Sequence, residues 1–173
     1  VQVTNPPRGN KGAKVTTHLS FVGRRLIYLP ATDFLGISRK ITDEKDWEKY
    51  RYLFMMHINL KLAEQHLRLG KTWDKQFAYF YDEPWKEEYL RNLETAETCY
   101  KEGLVYWEEA KSWAELANMG KFRFMFLTDI QYWEDERERI YTGDLDYEKI
   151  INRELKRLQS VKDTFENMDE NTY

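Results

Sequence analysis

Several chemistries lack the residues they need. The 173-residue chain has one cysteine, three histidines, four prolines and eight glycines. A lone thiol, Cys99, excludes an internal disulfide and any Cys-x-x-Cys redox or zinc motif. So little Gly and Pro favours long regular elements over loops. No apolar run approaches the roughly 20 residues that a bilayer-spanning helix requires. The chain also lacks a phosphate-cradling glycine loop and a Gly-x-Ser-x-Gly elbow.

Metal chemistry is equally short of donors. His57 and His66 lie nine positions apart on an expected helix, on opposite faces at 100° per residue, so they cannot share an ion. The Glu-x-x-His spacing of carboxylate-bridged di-iron bundles is missing, because Glu64-Gln65-His66 is too close. No catalytic, metal or cofactor-binding residue is therefore assigned. An enzyme or small-ligand binder using an interhelical cleft is the alternative, and Glu64, His66, Glu97 and Tyr100 are the polar residues it would need to converge.

Aromatic residues are plentiful, with 6 Trp, 12 Tyr and 9 Phe, and they supply ample apolar area for a folded core. Charge is nearly balanced at −3 overall but unevenly placed. Residues 1–40 carry seven basic groups against Asp33 alone, a net of +6, which leaves −9 for the rest. The chain divides accordingly into a basic N-terminal arm, 1–40, and an acidic helical domain, 41–173. Nucleic acid is disfavoured as a partner: the arm lacks dense Lys/Arg clustering and the acidic body repels a polyanion. A start at Val1 rather than Met suggests a processed or truncated chain and leaves a removed signal peptide open.

Within the arm, Val1–Thr16 reads as extended, and short helical pieces are expected over about 19–29 and 33–39. Gly23-Arg24 also fits a hairpin turn. Four helices follow. The first is capped at Thr42 or Asp43, has an acidic first turn and is stopped by Gly70. The second runs from Trp85 to about Asn118, the third from Lys121 to Tyr141, and the fourth from an Asp144 or Asp146 cap to Met168.

Asn92–Gly103 (NLETAETCYKEG) echoes Asn59–Gly70 (NLKLAEQHLRLG) at an offset of 33 residues. In the second helix, spacing by sevens gives a mostly large stripe, Leu93, Tyr100, Trp107 and Ala114, beside a small one, Ala96, Gly103, Ala110 and Ala117. The echo obeys the same rule, with Leu53, Leu60 and Leu67 beside Met56, Ala63 and Gly70. Such seams let helix backbones approach closely. They predict an all-α, elongated bundle of about four long antiparallel helices. Gly103, which costs a helix about 1 kcal/mol relative to Ala, is expected to be offset by a close contact.

The spacing Ala96, Tyr100, Gly103, with Ala63, Leu67, Gly70 in the echo, resembles the second helix of a tetratricopeptide repeat. The resemblance implies TPR-like helical hairpins whose surface binds a protein partner. The departures are that no turn residue separates Phe54 from Ala63 and that neither copy ends in the family's Pro. In manner, the Trp- and Tyr-rich charged helices YWEEAKSWAEL and IQYWEDERERIY are similar to flagellar-coiling proteins of the Leptospira flagellar sheath. That similarity implies a periplasmic structural role among filament subunits; without it a cytoplasmic location is expected.

The favoured reading is a non-enzymatic structural or protein-interaction scaffold with other proteins as partners. Its candidate partner surface is the aromatic cluster Trp73, Phe77, Tyr79, Phe80, Tyr81 and Trp85 around the connection between the first two helices.

Overall fold

In the computed structural model, the described residues are 2–5, 7, 12–16, 19–22, 26–29, 35–37, 44–74, 83–120, 128–169 and 171. Two compact units divide the chain, Val1–Arg51 and Tyr52–Tyr173, with the boundary inside the first long helix rather than at its start.

Unit 1 corrects the expectation of short helices in the arm. Its N-terminal strands are β1 (Gln2–Asn5) and β2 (Lys14–Thr16), paired antiparallel with Val3 opposite Val15 and an irregularity between Val3 and Asn5. A second antiparallel sheet runs β3 (Phe21–Val22), β4 (Leu26–Tyr28), β5 (Leu35–Ile37), with Ile27 opposite both Val22 and Gly36. The hairpin alternative at Gly23-Arg24 lies outside the described residues, although the strands on either side pair antiparallel. A helix this short gains little for its nucleation cost, whereas Ile, Val, Phe and Tyr suit a ladder paired on both sides. The Gln2 side chain donates to the Ser20 carbonyl (2.9 Å) and accepts from the Ser20 backbone N–H (2.8 Å).

Unit 2 is all-α, as the seams predict. Its helices are α1 (Glu44–Trp73, beginning in unit 1), α2 (Glu83–Leu116), α3 (Thr128–Thr142) and α4 (Tyr147–Glu166). No turn interrupts α1 between Phe54 and Ala63. Every member of both stripes on α1 and α2 is buried. A Cβ placed on Gly103 would lie 3.3 Å from Ile151 Cδ1, 3.4 Å from His66 Cβ and 3.5 Å from the Ala63 carbonyl oxygen, which is the close contact expected for this glycine.

The contacts also fix direction. Ala63 meets Gly103 and Gly70 meets Tyr100, so α1 and α2 are antiparallel. Lys111 bonds Glu148, Lys162 bonds Glu97, and Tyr89 stacks on Phe165, so α2 and α4 are antiparallel too. Phe54 packs on Trp133 while His57 bonds Glu136, so α3 runs with α1. Therefore α3 and α4 succeed one another in the direction of α1, and together they match the length of a long helix. The break between them is made by Gly143, at φ +79°, and by Asp146, whose carboxylate accepts from the Lys149 backbone N–H. Ile151, Leu158 and Phe165 of α4 join Leu67, Leu93, Ala96 and Tyr100 in one core cluster, while Leu60, Ala63, Trp107 and Ala110 form the next.

Gly70 does not stop α1. The helix continues to Trp73, because Gly70 is buried beneath the ring of Tyr100 and its carbonyl accepts the Asp74 backbone N–H at 2.9 Å.

Candidate functional site

Of the candidate aromatic surface, Trp73 and Trp85 are exposed, at 41% and 56%. Phe77, Tyr79, Phe80 and Tyr81 lie outside the described residues. Leu69, one turn before Trp73, is 47% exposed, so the end of α1 presents two large apolar side chains on one face.

The four residues an enzymatic cleft would need are each committed elsewhere. Glu64 pairs with Lys61 (3.2 Å) and Arg68 (2.6 Å) on its own helix. His66 stacks on Tyr106, and its Nδ1 lies 3.2 Å from Glu102, close enough to attract a charged imidazole but not aligned as a hydrogen bond. Glu97 joins Lys101 (2.5 Å) and Lys162 (2.6 Å), whose hydrogen bonds hold its carboxyl below the usual carboxylate range. Tyr100 donates to Asp74. Glu64 is thus paired with Lys61 and Arg68, and Glu97 with Lys101 and Lys162, rather than the two carboxylates sharing a proton or a cation.

Two polar nodes escaped the sequence reading. The first is Asp74, whose side chain is 2% exposed. It accepts the Tyr100 hydroxyl at 2.8 Å and pairs with Arg157, tying α2 and α4 to the end of α1. Burial first, and then the hydrogen bond to Asp74 and its negative charge, push the Tyr100 phenol far above its ordinary value. Arg157 also bonds Glu154 at 3.2 Å. The available signal was spacing: Asp74 is four residues after Gly70 and so shares its face. The second node is Glu136, with a side chain 4% exposed, which takes His57 Nδ1 at 2.6 Å and lies 3.6 Å from Lys61 Nζ. His57 also packs against Tyr132 and Trp133. Glu136 is three residues past the buried Trp133, a spacing that places it on the inward face.

In the WEDERERI run, Arg137 bridges Glu134 and Glu138 at 2.7 and 3.1 Å. Cys99 is buried, and burial followed by the charge of Glu102 raises its thiol above the usual range, which disfavours the nucleophilic thiolate. Among the described residues, no group of three or more His, Cys, Asp or Glu could hold a metal ion, and no helix is long and apolar enough to cross a membrane.

With this geometry in place, a family match covers nearly the whole bundle. Residues 45–168 match DUF8513, described as a domain of unknown function. The chain belongs to the DUF8513 family. A shorter similarity reaches ribonuclease G: 35% identity over 51 residues with the enzymes of Salmonella typhimurium and Escherichia coli K12, and 34% over 53 residues with that of Haemophilus influenzae. The aligned stretch is 30% of this chain and 10% of the Salmonella and E. coli enzymes, so the chain spans about a tenth of the length of those relatives. No solved structure matches the chain significantly.

Proposed function

We propose that this chain is part of an RNA-handling protein related to ribonuclease G, in which unit 1 contacts RNA and the DUF8513 bundle is a non-enzymatic scaffold for other proteins. The observation that carries the reading is the 35% identity to ribonuclease G over 51 residues. Within the chain, the RNA contact is assigned to unit 1, Val1–Arg51, because it includes the basic excess of residues 1–40. A net +6 segment suits a polyanion, whose condensed counterions are released on binding. The sequence alone argued against nucleic acid on two grounds, the arm's lack of dense Lys/Arg clustering and the repulsion of the acidic body; the net charge of the basic unit is set against the first. Assigning RNA to the basic unit answers the second, because the acidic bundle is then not the RNA contact.

The scaffold role of the bundle is supported by what its polar residues do. They close ion pairs between and along helices, and the four that might have made a cleft are engaged separately. Trp73 and Trp85 remain as exposed anchors for a protein partner. Catalysis is not ascribed to a segment equal to a tenth of ribonuclease G. A place in a flagellar sheath, or TPR-like partner binding, draws only on the resemblance of the helices and gains nothing from these matches.

The test is anisotropy of a labelled single-stranded RNA titrated with the chain at rising salt. We expect affinity to fall steeply with salt, and the Arg24→Ala/Arg25→Ala variant to lower the log–log slope by about 1.4, at about 0.7 per lost phosphate contact. Salt-independent binding, or none at low salt, overturns the RNA assignment.

A further inference from the structure

We infer that the last turn of α1, Gly70–Asp74, is a latched turn: it stays helical while Asp74 is gripped by Tyr100 and Arg157, and it opens separately from the rest of α1 when that grip is lost. The other ties of the turn are weaker. Lys71 and Thr72 are exposed and tied only by a 4.0 Å contact to Glu154 and a hydroxyl bond to the Arg68 carbonyl, and Trp73 is 41% exposed, so its partly covered ring is the main apolar contribution of the turn beside the Asp74 grip. Gly70 inside a helix costs about 1 kcal/mol relative to Ala. The two buried members are Gly70 and Asp74, and the backbone bond between them closes the turn.

The grip is strong but incomplete. Asp74 takes Arg157 and the Tyr100 hydroxyl on the same oxygen, Oδ2, so Asp74 Oδ1 and Arg157 Nη1 are buried with no hydrogen-bond partner among the described residues. An under-satisfied buried ion pair is costly to keep and costlier to break on one side only, which makes the node all-or-none. Arg157 nevertheless has a second carboxylate at hand in Glu154, 3.2 Å away, which also attracts Lys71 at 4.0 Å and Arg153 at 3.7 Å. When Asp74 swings out to solvent, Arg157 retains that partner. The open state therefore strands neither charge.

The readout is amide hydrogen exchange resolved by residue. D74N keeps the shape of the side chain and removes its charge. In this variant the amides of residues 72–74 should exchange about tenfold faster or more, with those of 60–67 unchanged. Y100F keeps the ring over Gly70 and removes only the hydroxyl. It should speed the same amides by a smaller factor, and it carries the test should D74N not fold. Unchanged exchange at 72–74 in a folded variant, or equal acceleration at 60–67, overturns the latch.

Discussion

Gly70 lies directly under the ring of Tyr100: a Cβ added to Gly70 would come within 2.6 Å of the ring's Cδ1. The ring cannot step aside, since Tyr100 is fully buried and its hydroxyl is held by Asp74. Two effects then compete in Gly70→Ala. Helix propensity favours alanine by about 1 kcal/mol, and overpacking a rigid core costs about 1–3 kcal/mol. The clash should win, leaving the variant less stable in urea unfolding. In a Tyr100→Ala background the obstacle is gone, and the same change should become stabilising. An identical sign in both backgrounds would show that the ring does not govern this site.

Gly103 tells a milder story. Its nearest neighbours to an added Cβ stand at 3.3–3.5 Å, so alanine asks them to yield by only a few tenths of an ångström. The propensity gain of about 1 kcal/mol roughly offsets that strain, and Gly103→Ala should unfold within about 0.5 kcal/mol of the parent. Gly103→Val adds two methyl groups against Ile151 and the Ala63 carbonyl and should cost over about 2 kcal/mol. Denaturant midpoints separate the two, and equal midpoints would contradict close packing at this seam.

Alkaline lability follows from Tyr100. Burial, reinforced by the Asp74 carboxylate, raises its phenol well above the ordinary value near 10. Above about pH 10 the unfolded chain has given up this proton and the folded chain keeps it. Stability is therefore complete below about pH 10 and is lost as pH rises, by up to ~1.4 kcal/mol per pH unit for one proton. Tyr147, raised chiefly by burial, adds a similar component. Tyr100→Phe should flatten the fall in melting temperature between pH 9.5 and 11.5 without abolishing it. An unaltered slope would mean Tyr100 ionises as readily folded as unfolded.

Glu97 governs the acid side. Hydrogen bonds from Lys101 and Lys162 lower its carboxyl, so its contribution is present above the unfolded value near 4.3 and is lost as pH falls below that. Glu97→Gln should be less stable than the parent at pH 7 and lose less than the parent between pH 4.5 and 2. Parallel curves over that window would remove Glu97 as an acid-sensitive tie between α2 and α4.

How much of this was legible in the sequence depended on periodicity. The seams of α1 and α2 were readable because a seven-residue spacing reports which face is buried whatever the partner, and Leu53 through Ala117 lie as that spacing demands. Gly70 was misread because its local signal, glycine as a stop, is overridden by Tyr100 and Asp74, which come from 30 residues on and 4 residues on. The β-strands of unit 1 were missed because segments of two to four residues carry almost no periodicity, and only the pairing partner decides them. Four antiparallel helices were expected, but α3 and α4 run the same way, since amphipathicity fixes a face and not a sense. Beyond their spacing, Asp74 and Glu136 carried no signal of their burial, because a buried carboxylate is recognised by its partners and those lie on other helices.

The pair His57 and Glu136 offers the sharpest check on α3. Their 2.6 Å contact joins α1 to α3, with the carboxylate almost fully buried and Lys61 at 3.6 Å from its other oxygen. Glu136→Gln keeps an acceptor for the imidazole but gives up the attraction of Lys61, whereas His57→Leu removes the partner and leaves a buried carboxylate facing Lys61 alone. The second change should cost more, about 1–3 kcal/mol, because an orphaned buried charge carries its full desolvation penalty. In the double variant the remaining amide is neutral, so the combined loss should fall short of the sum by about 0.5–3 kcal/mol. Strict additivity in urea unfolding would mean that the two side chains do not share a bond in solution and that α3 is held to α1 by Phe54 and Trp133 without this polar tie.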